Sequence, residues 1–295
     1  MLNNILDELK LNALVITDPY NMRHVSGFRG GEGALYISAT QKVLITDSRY
    51  TEQAGKESDF TVIEENRAHN RQTILKECME KETVSGDFHM GYEDQSMLCC
   101  EFDRMKAALP VQVWTPLGTK IDDLRQIKTE EELTYLARAE EIGDKAFEKL
   151  LKVVKPGMTE LEVAAELEYL MKKEGAEDLS FNTIIASGLN SSMPHAIPGY
   201  KKLEVGDFVT CDFGCKYKGY CSDMTRTFVL GKASEKQKEI YNVVLKAQLA
   251  GLAAVKAGVS GSSVDKVSRD IIAEAGYGEY FGHGLGHSVG LFIHE

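Results

Sequence analysis

A five-residue motif recurs once in this chain, and the recurrence restricts the fold more than any other feature. Lys155-Pro156-Gly157-Met158-Thr159 is answered by Lys256-Ala257-Gly258-Val259-Ser260, an offset of 101 residues (155 to 256). At the same offset Val163 meets Val264, Leu170 meets Ile271, Met171 meets Ile272 and Gly175 meets Gly276. Each copy reads as a long helix, a turn and a second helix. Capping boxes mark the starts: Thr129 with Glu132, Thr159 with Glu162, and Ser234 with Gln237. The stripe Val163, Leu167, Leu170 and Met171 gives the second helix a buried face, and Gly175 ends it. The offset is too long for a solenoid and only two copies exist. An internal duplication follows, helix, turn, helix and strands taken twice, with a site between the halves. Helix pairs that merely share start and stop signals are the competing explanation.

Between the copies lies CDFGCKYKGYCSDMTRTF, which reads as a β-hairpin. With Tyr217-Lys218 as a two-residue loop, Asp212 and Asp223 face each other with Cβ atoms about 5 Å apart, where like charges repel. Such a pair needs a shared proton or a cation. A G1 bulge at Gly219 shifts the register by one and puts the two on opposite faces.

Composition narrows the rest. The 295 residues suffice for two domains, and 43% hydrophobic with 27% charged is the balance of a globular chain. A net charge of −11 argues against nucleic acid or an anionic membrane as partner. The most apolar stretch is interrupted by Lys246 and Lys256, too soon to span a bilayer. The opening MLNNILDELK has no signal-peptide pattern, and the six cysteines then suggest reduced thiols in a cytoplasm.

Residues 1–114 alternate short apolar strands (ALVIT, ALYIS, KVLIT, a strand near Met90, VQVW) with helical patterns after Arg49, over 71–81 and after Gln95. Residues 115–128, with Pro116 and Gly118, read as the linker. The expected domains are 1–118 and 125–295.

Chemistry concentrates in the second. His283, His287 and His294 crowd FGHGLGHSVGLFIHE, and His195 lies in SSMPHAIPG. Glycines 282, 284 and 286 make a helical two-histidine zinc motif untenable there. Carboxylates with imidazole suit manganese, cobalt or zinc in an oxygen-rich site, and bridging carboxylates are the usual way to hold two metals. Cys211, Cys215 and Cys221 have no Cys-x-x-Cys spacing, and no serine sits in a nucleophile elbow. His24, His69 and His89 read as structural or surface residues, with His24 closest to a glycine-rich loop.

The segments DFGCKYKGYCSDMTRTF, SSMPHAIPG and GHGLGHSVGLFIHE resemble the proline-specific metallopeptidases, aminopeptidase P and prolidase. NMRHVSGFRGGEGALYIS and VLITDSRYTEQA look like their creatinase-type first domain. The resemblance implies an α+β protein in which that α/β domain precedes a duplicated pita-bread catalytic domain. It implies Asp212, Asp223 and His287 as ligands of two divalent metals, manganese first, with cobalt or zinc as alternatives. His195 and His294 are implied as the catalytic histidines that hydrogen-bond the substrate carbonyl, and His283 as lining the pocket after the scissile bond. The implied reaction is hydrolysis between an N-terminal residue and a following proline, by aminopeptidase or dipeptidase action, through a metal-bridging hydroxide. The partner is then a peptide with proline second; the first domain serves as a dimer contact in such enzymes, and a homodimer is compatible with that.

The resembling enzymes complete their site with two glutamates on strands beyond the histidine cluster, whereas this sequence stops at Glu295. By that comparison it holds three of five ligands, is incomplete at its C-terminus, and is expected to bind metal weakly and act little. Methionine aminopeptidase, creatinase and a non-catalytic peptide-binding module share the fold. The first domain and the histidine set argue against the first, and the retained aspartates with His287 against the other two.

Overall fold

In the computed structural model, which describes residues 2–295, the chain divides into two compact units, Met1–Ile127 and Lys128–Glu295. The first runs α1 (Leu2–Leu9), β1 (Ala13–Ile16), α2 (Pro19–Ser26), β2 (Ala34–Ser38), β3 (Lys42–Asp47), α3 (Thr51–Glu57), β4 (Thr61–Glu65), α4 (Arg71–Glu80), β5 (His89–Tyr92), α5 (Cys99–Ala108) and β6 (Val113–Pro116). The strands form one mixed sheet in the order β4-β3-β2-β1-β5-β6. β2 is antiparallel to both β1 and β3; the pairs β3–β4, β1–β5 and β5–β6 are parallel. Leu14, Ile16, Leu35 and Leu44 pack on one face with Ile5, Leu6 and Phe28. Val15, Tyr36, Val43 and Ile45 pack on the other with Ile74, Leu75 and Met105. Both faces are covered, so the strands read as unbroken apolar runs rather than alternating ones.

Three elements had no clear signal. β4 (TVIEE) is a half-exposed edge strand, and α1 is only eight residues long. At α2 the Asp18-Pro19 pair does more than end a strand: Asp18 caps the helix by accepting from the Tyr20 and Asn21 N–H groups, and Pro19 supplies the fixed φ of its first turn. The stretch read as a linker packs onto the first unit, where Leu117 and Ile121 are buried and the Arg125 guanidinium donates to Asn21 Oδ1.

The second unit begins with α6 (Glu130–Leu150) and α7 (Glu160–Glu174), followed by β7 (Asp178–Leu179), β8 (Ile184–Ser187), β9 (Phe208–Phe213), β10 (Cys215–Tyr217), β11 (Tyr220–Cys221) and β12 (Met224–Val229). Then come α8 (Glu235–Ala254) and α9 (Gly261–Glu274). All three expected capping boxes form, at Thr129, Thr159 and Ser234. The strands make two small sheets, β7-β10-β11 and β8-β9-β12. Ile142, Ala146, Val163, Leu167 and Met171 of the first helix pair pack against Ile185, Val209, Cys211 and Phe213. The second pair meets where Gly251 faces Ser268, whose hydroxyl donates to the Ala247 carbonyl at 2.8 Å. The helix-turn-helix unit therefore does recur. Residues 281–295, which follow its second copy and a 3-10 turn at Gly278–Tyr280, form neither helix nor strand. No helix among the described residues is long and apolar enough to cross a membrane.

Candidate active site

Alternation builds the floor of the site. Along β9, Val209, Cys211 and Phe213 point into the core while Phe208, Thr210 and Asp212 lie half-buried on the other face. The hairpin turns at Lys218-Gly219, not at Tyr217-Lys218: both residues have positive φ (48° and 75°), and Tyr217 pairs with Tyr220. That is the two-residue turn whose twist suits a hairpin. Asp212 accordingly pairs with Thr225, and Asp223 lies two residues off. Moving the pairing by two keeps the parity, so both carboxylates stay on one side, diagonal rather than opposite. Gly214 takes up the change of direction between β9 and β10, where a Cβ would sit 1.9 Å from the Ser222 carbonyl oxygen.

Asp212 Oδ1 accepts the Thr225 hydroxyl at 2.7 Å. Burial pushes its carboxyl above the usual range and the Asp223 charge adds to this, while the Thr225 hydrogen bond and the charges of His195 and His287 pull it down. Asp223 Oδ2 lies 3.1 Å from His287 Nε2, and its backbone N–H donates to Glu140 Oε1 at 3.3 Å. Glu140, on α6, is itself pushed up, first by burial and then by the Asp223 and Asp144 charges, against the hydrogen bond it accepts. Sequence reading missed both Glu140 and Thr225. Thr225 becomes visible once the turn is placed correctly; Glu140 sits beside the buried stripe of a helix and carried no signal of its own.

His287 Nδ1 lies 2.9 Å from the Ser288 carbonyl oxygen, and its ring meets that of His294 edge-on, centroids 4.5 Å apart. Their irregular segment is tied down by the Cys221 N–H donating to the Gly290 carbonyl at 2.8 Å, by buried Leu291, and by a Lys128–Glu295 ion pair at 3.1 Å. His195 lies exposed in its loop, close enough to act electrostatically on Asp212. His283 keeps to the α9 side: its ring packs on Phe281 at 5.4 Å, and its carbonyl accepts from Arg269 at 2.8 Å. The fold thus brings Asp212, Asp223, His287 and His294 together, with His195 in reach. In the first unit His69 pairs with Glu77 at 3.0 Å and His24 lines a 310 Å³ cavity.

Among the described residues no three His, Cys, Asp or Glu side chains form a ready ligand sphere. The donors still fit a divalent cation. Two carboxylates are crowded on one hairpin face, one of them held up in pKa partly by the other, and an imidazole nitrogen is directed at Asp223. A cation would relieve that crowding. The buried thiols do not compete, since burial pushes Cys211 up to about 12 and Cys215 up to about 11.

Both units have relatives among known proteins. Residues 134–295 match the model of metallopeptidase family M24, and residues 1–127 that of the creatinase/prolidase N-terminal domain. The chain is 39% identical to an Xaa-Pro dipeptidase of Pyrococcus furiosus over 291 residues, 98% of this chain and 81% of that protein. Its structure superposes with a TM-score of 0.93 on an Xaa-Pro dipeptidase from Bacillus anthracis at 40% identity, covering 100% of this chain and 81% of the other. An X-Pro aminopeptidase from Thermotoga maritima gives 0.91 at 37% identity, over 98% and 83% of the two chains. The expected order, a creatinase-type domain followed by a catalytic domain of the prolidase kind, is met.

Proposed function

The chain belongs to metallopeptidase family M24, joined to a creatinase/prolidase-type first domain, and from that premise we propose that it hydrolyses the bond between an N-terminal residue and a following proline. The observation that carries this is the meeting of Asp212, Asp223 and His287 on one hairpin face. Relatives named Xaa-Pro dipeptidase favour the dipeptide as substrate.

In this reading Asp212, Asp223 and His287 would contribute to holding two divalent cations, manganese before cobalt or zinc because the donors are mostly oxygen. Bound cations supply Lewis acidity and lower the pKa of water at the site. The Thr225 hydroxyl fixes the rotamer of Asp212, leaving its Oδ2 available to a cation. Contact between the rings holds His294 beside His287, and its exposed face offers an N–H to the carbonyl oxygen, where charge develops as water adds. His195 offers a second donor from its loop. The C–N bond then breaks, the water oxygen having joined the carbonyl carbon, and the proline nitrogen takes up the proton that the water released. His283, on the far side of the histidine segment, is assigned to the pocket for the proline.

The test is a peptide panel with the full-length polypeptide and added manganese. Ala-Pro and Leu-Pro are expected to release free proline, chelator to stop the release and manganese to restore it. Equal cleavage of Met-Ala, or turnover that ignores the chelator, would overturn the reading.

A further inference from the structure

A buried carboxylate outside the proposed chemistry lies at the first residue of α7. Glu160 is 1% exposed. Its Oε1 accepts from the Ser187 N–H at 2.8 Å, the Ser187 hydroxyl at 2.9 Å and Asn190 Nδ2 at 3.0 Å. Its Oε2 accepts from Asn190 Nδ2 at 3.2 Å and the Gly199 N–H at 3.3 Å. Ser187 ends β8 and Gly199 follows SSMPHAIP, so one carboxylate grips the chain before and after His195. The α7 backbone repeats the grip: the Glu160 N–H donates to the Lys201 carbonyl and the Leu161 N–H to the Gly199 carbonyl, both at 3.0 Å. Lys201 Nζ donates to the Ser187 hydroxyl at 2.9 Å and to Asp207 at 2.8 Å, which ties the end of the arc to β8 a second time.

Beyond these anchors the arc 188–199 is open. Leu189 is 91% and Ile197 88% exposed, and the arc's internal hydrogen bonds are short-range turn contacts such as Met193 N–H to the Asn190 carbonyl. Of the arc only Ala196, beside His195, is buried, at 6% exposure, so its position comes from that one small contact and from its base. A carboxylate filling its lone-pair directions with four donor groups makes charge-assisted bonds, and removing it leaves buried N–H groups unpaired.

We propose that Glu160 is a positioning residue for His195, holding both ends of the 188–199 arc so that the imidazole stays on the Asp212 side of the site; this rests on the reading of His195 as a substrate contact. Glu160→Gln presents an amide to donors and disturbs the whole clamp. Asn190→Ala removes one strut and leaves the core intact, which keeps the test open should the first variant fail to fold. Hydrogen exchange of the arc amides is expected to quicken about tenfold in both variants, with β9 and α6 unchanged. On Ala-Pro with manganese, kcat is expected to fall about tenfold with KM nearly constant, because a displaced group loses orientation rather than binding. In the His195→Ala background the Asn190→Ala loss is expected to vanish. Unchanged exchange in the arc, or a kcat loss that persists without His195, overturns the proposal. If the parent cleaves no Xaa-Pro peptide, the functional reading falls by itself, and the exchange of the arc, together with the His195 imidazole NMR signal, still decides whether Glu160 places the histidine.

Discussion

Asp212 stands between two fully buried neighbours, Cys211 and Phe213, and its rotamer is held by one hydroxyl. Losing either aspartate should therefore weaken metal binding directly, without unfolding the hairpin. Titration calorimetry with manganese is expected to show Asp212→Asn and Asp223→Asn binding on the order of 100-fold more weakly than the parent, and Thr225→Val about tenfold, the usual range for ligands and their orienting partners. Equal affinity in all three would remove these residues from the site. A second residue-scale consequence concerns Glu57. Burial raises its carboxyl, but hydrogen bonds from the Arg29 N–H and guanidinium and from Gln53 outweigh it, so its pKa is lowered on folding. A depressed carboxylate contributes stability that is present above the unfolded pKa and lost as pH falls through the folded one. Arg29 is half-exposed, so Glu57→Gln is expected to cost only about 0.5 kcal/mol at neutral pH. That difference should close in acid, as urea titrations at the two pH values would show.

Among the elements, the hairpin that carries both aspartates depends on its turn. Lys218 and Gly219 both occupy the left-handed region, which only glycine enters without strain. Gly219→Ala is expected to cost about 1 kcal/mol, and Gly219→Val more. The ladder Asp212–Thr225 should nevertheless persist, because six residue pairs below the turn fix its register. NMR contacts across the hairpin would check this; a register moved by one would separate the aspartates onto opposite faces. The helices were legible because their ends are written in side chains: Thr129, Thr159 and Ser234 each bond their own first turn. Turn placement was less legible. Tyr217-Lys218 and Lys218-Gly219 both satisfy a pattern of apolar strands around a loop, and the positive φ at Gly219, with Tyr217 left in the ladder, decides between them.

On the scale of the molecule, a ligand should stabilise the unit that holds it. Manganese is expected to stabilise residues 128–295 by about 2.7 kcal/mol at a hundred times its Kd. Scanning calorimetry with and without chelator would test this, and a melting profile unchanged by manganese would contradict it. The apolar strands of the first unit, the helix pairs of the second and the aspartates on one side of a hairpin were all set by local composition, caps and parity, which act between neighbours in the chain. Contacts over long sequence separations were not. Packing alone placed Glu140 beside Asp223, 83 residues away, brought the Gly290 carbonyl to the Cys221 N–H, and folded Leu117 and Ile121 back into the first core. Nothing in a residue's own surroundings along the chain specifies its distant neighbours, since those follow from how whole elements fill space together.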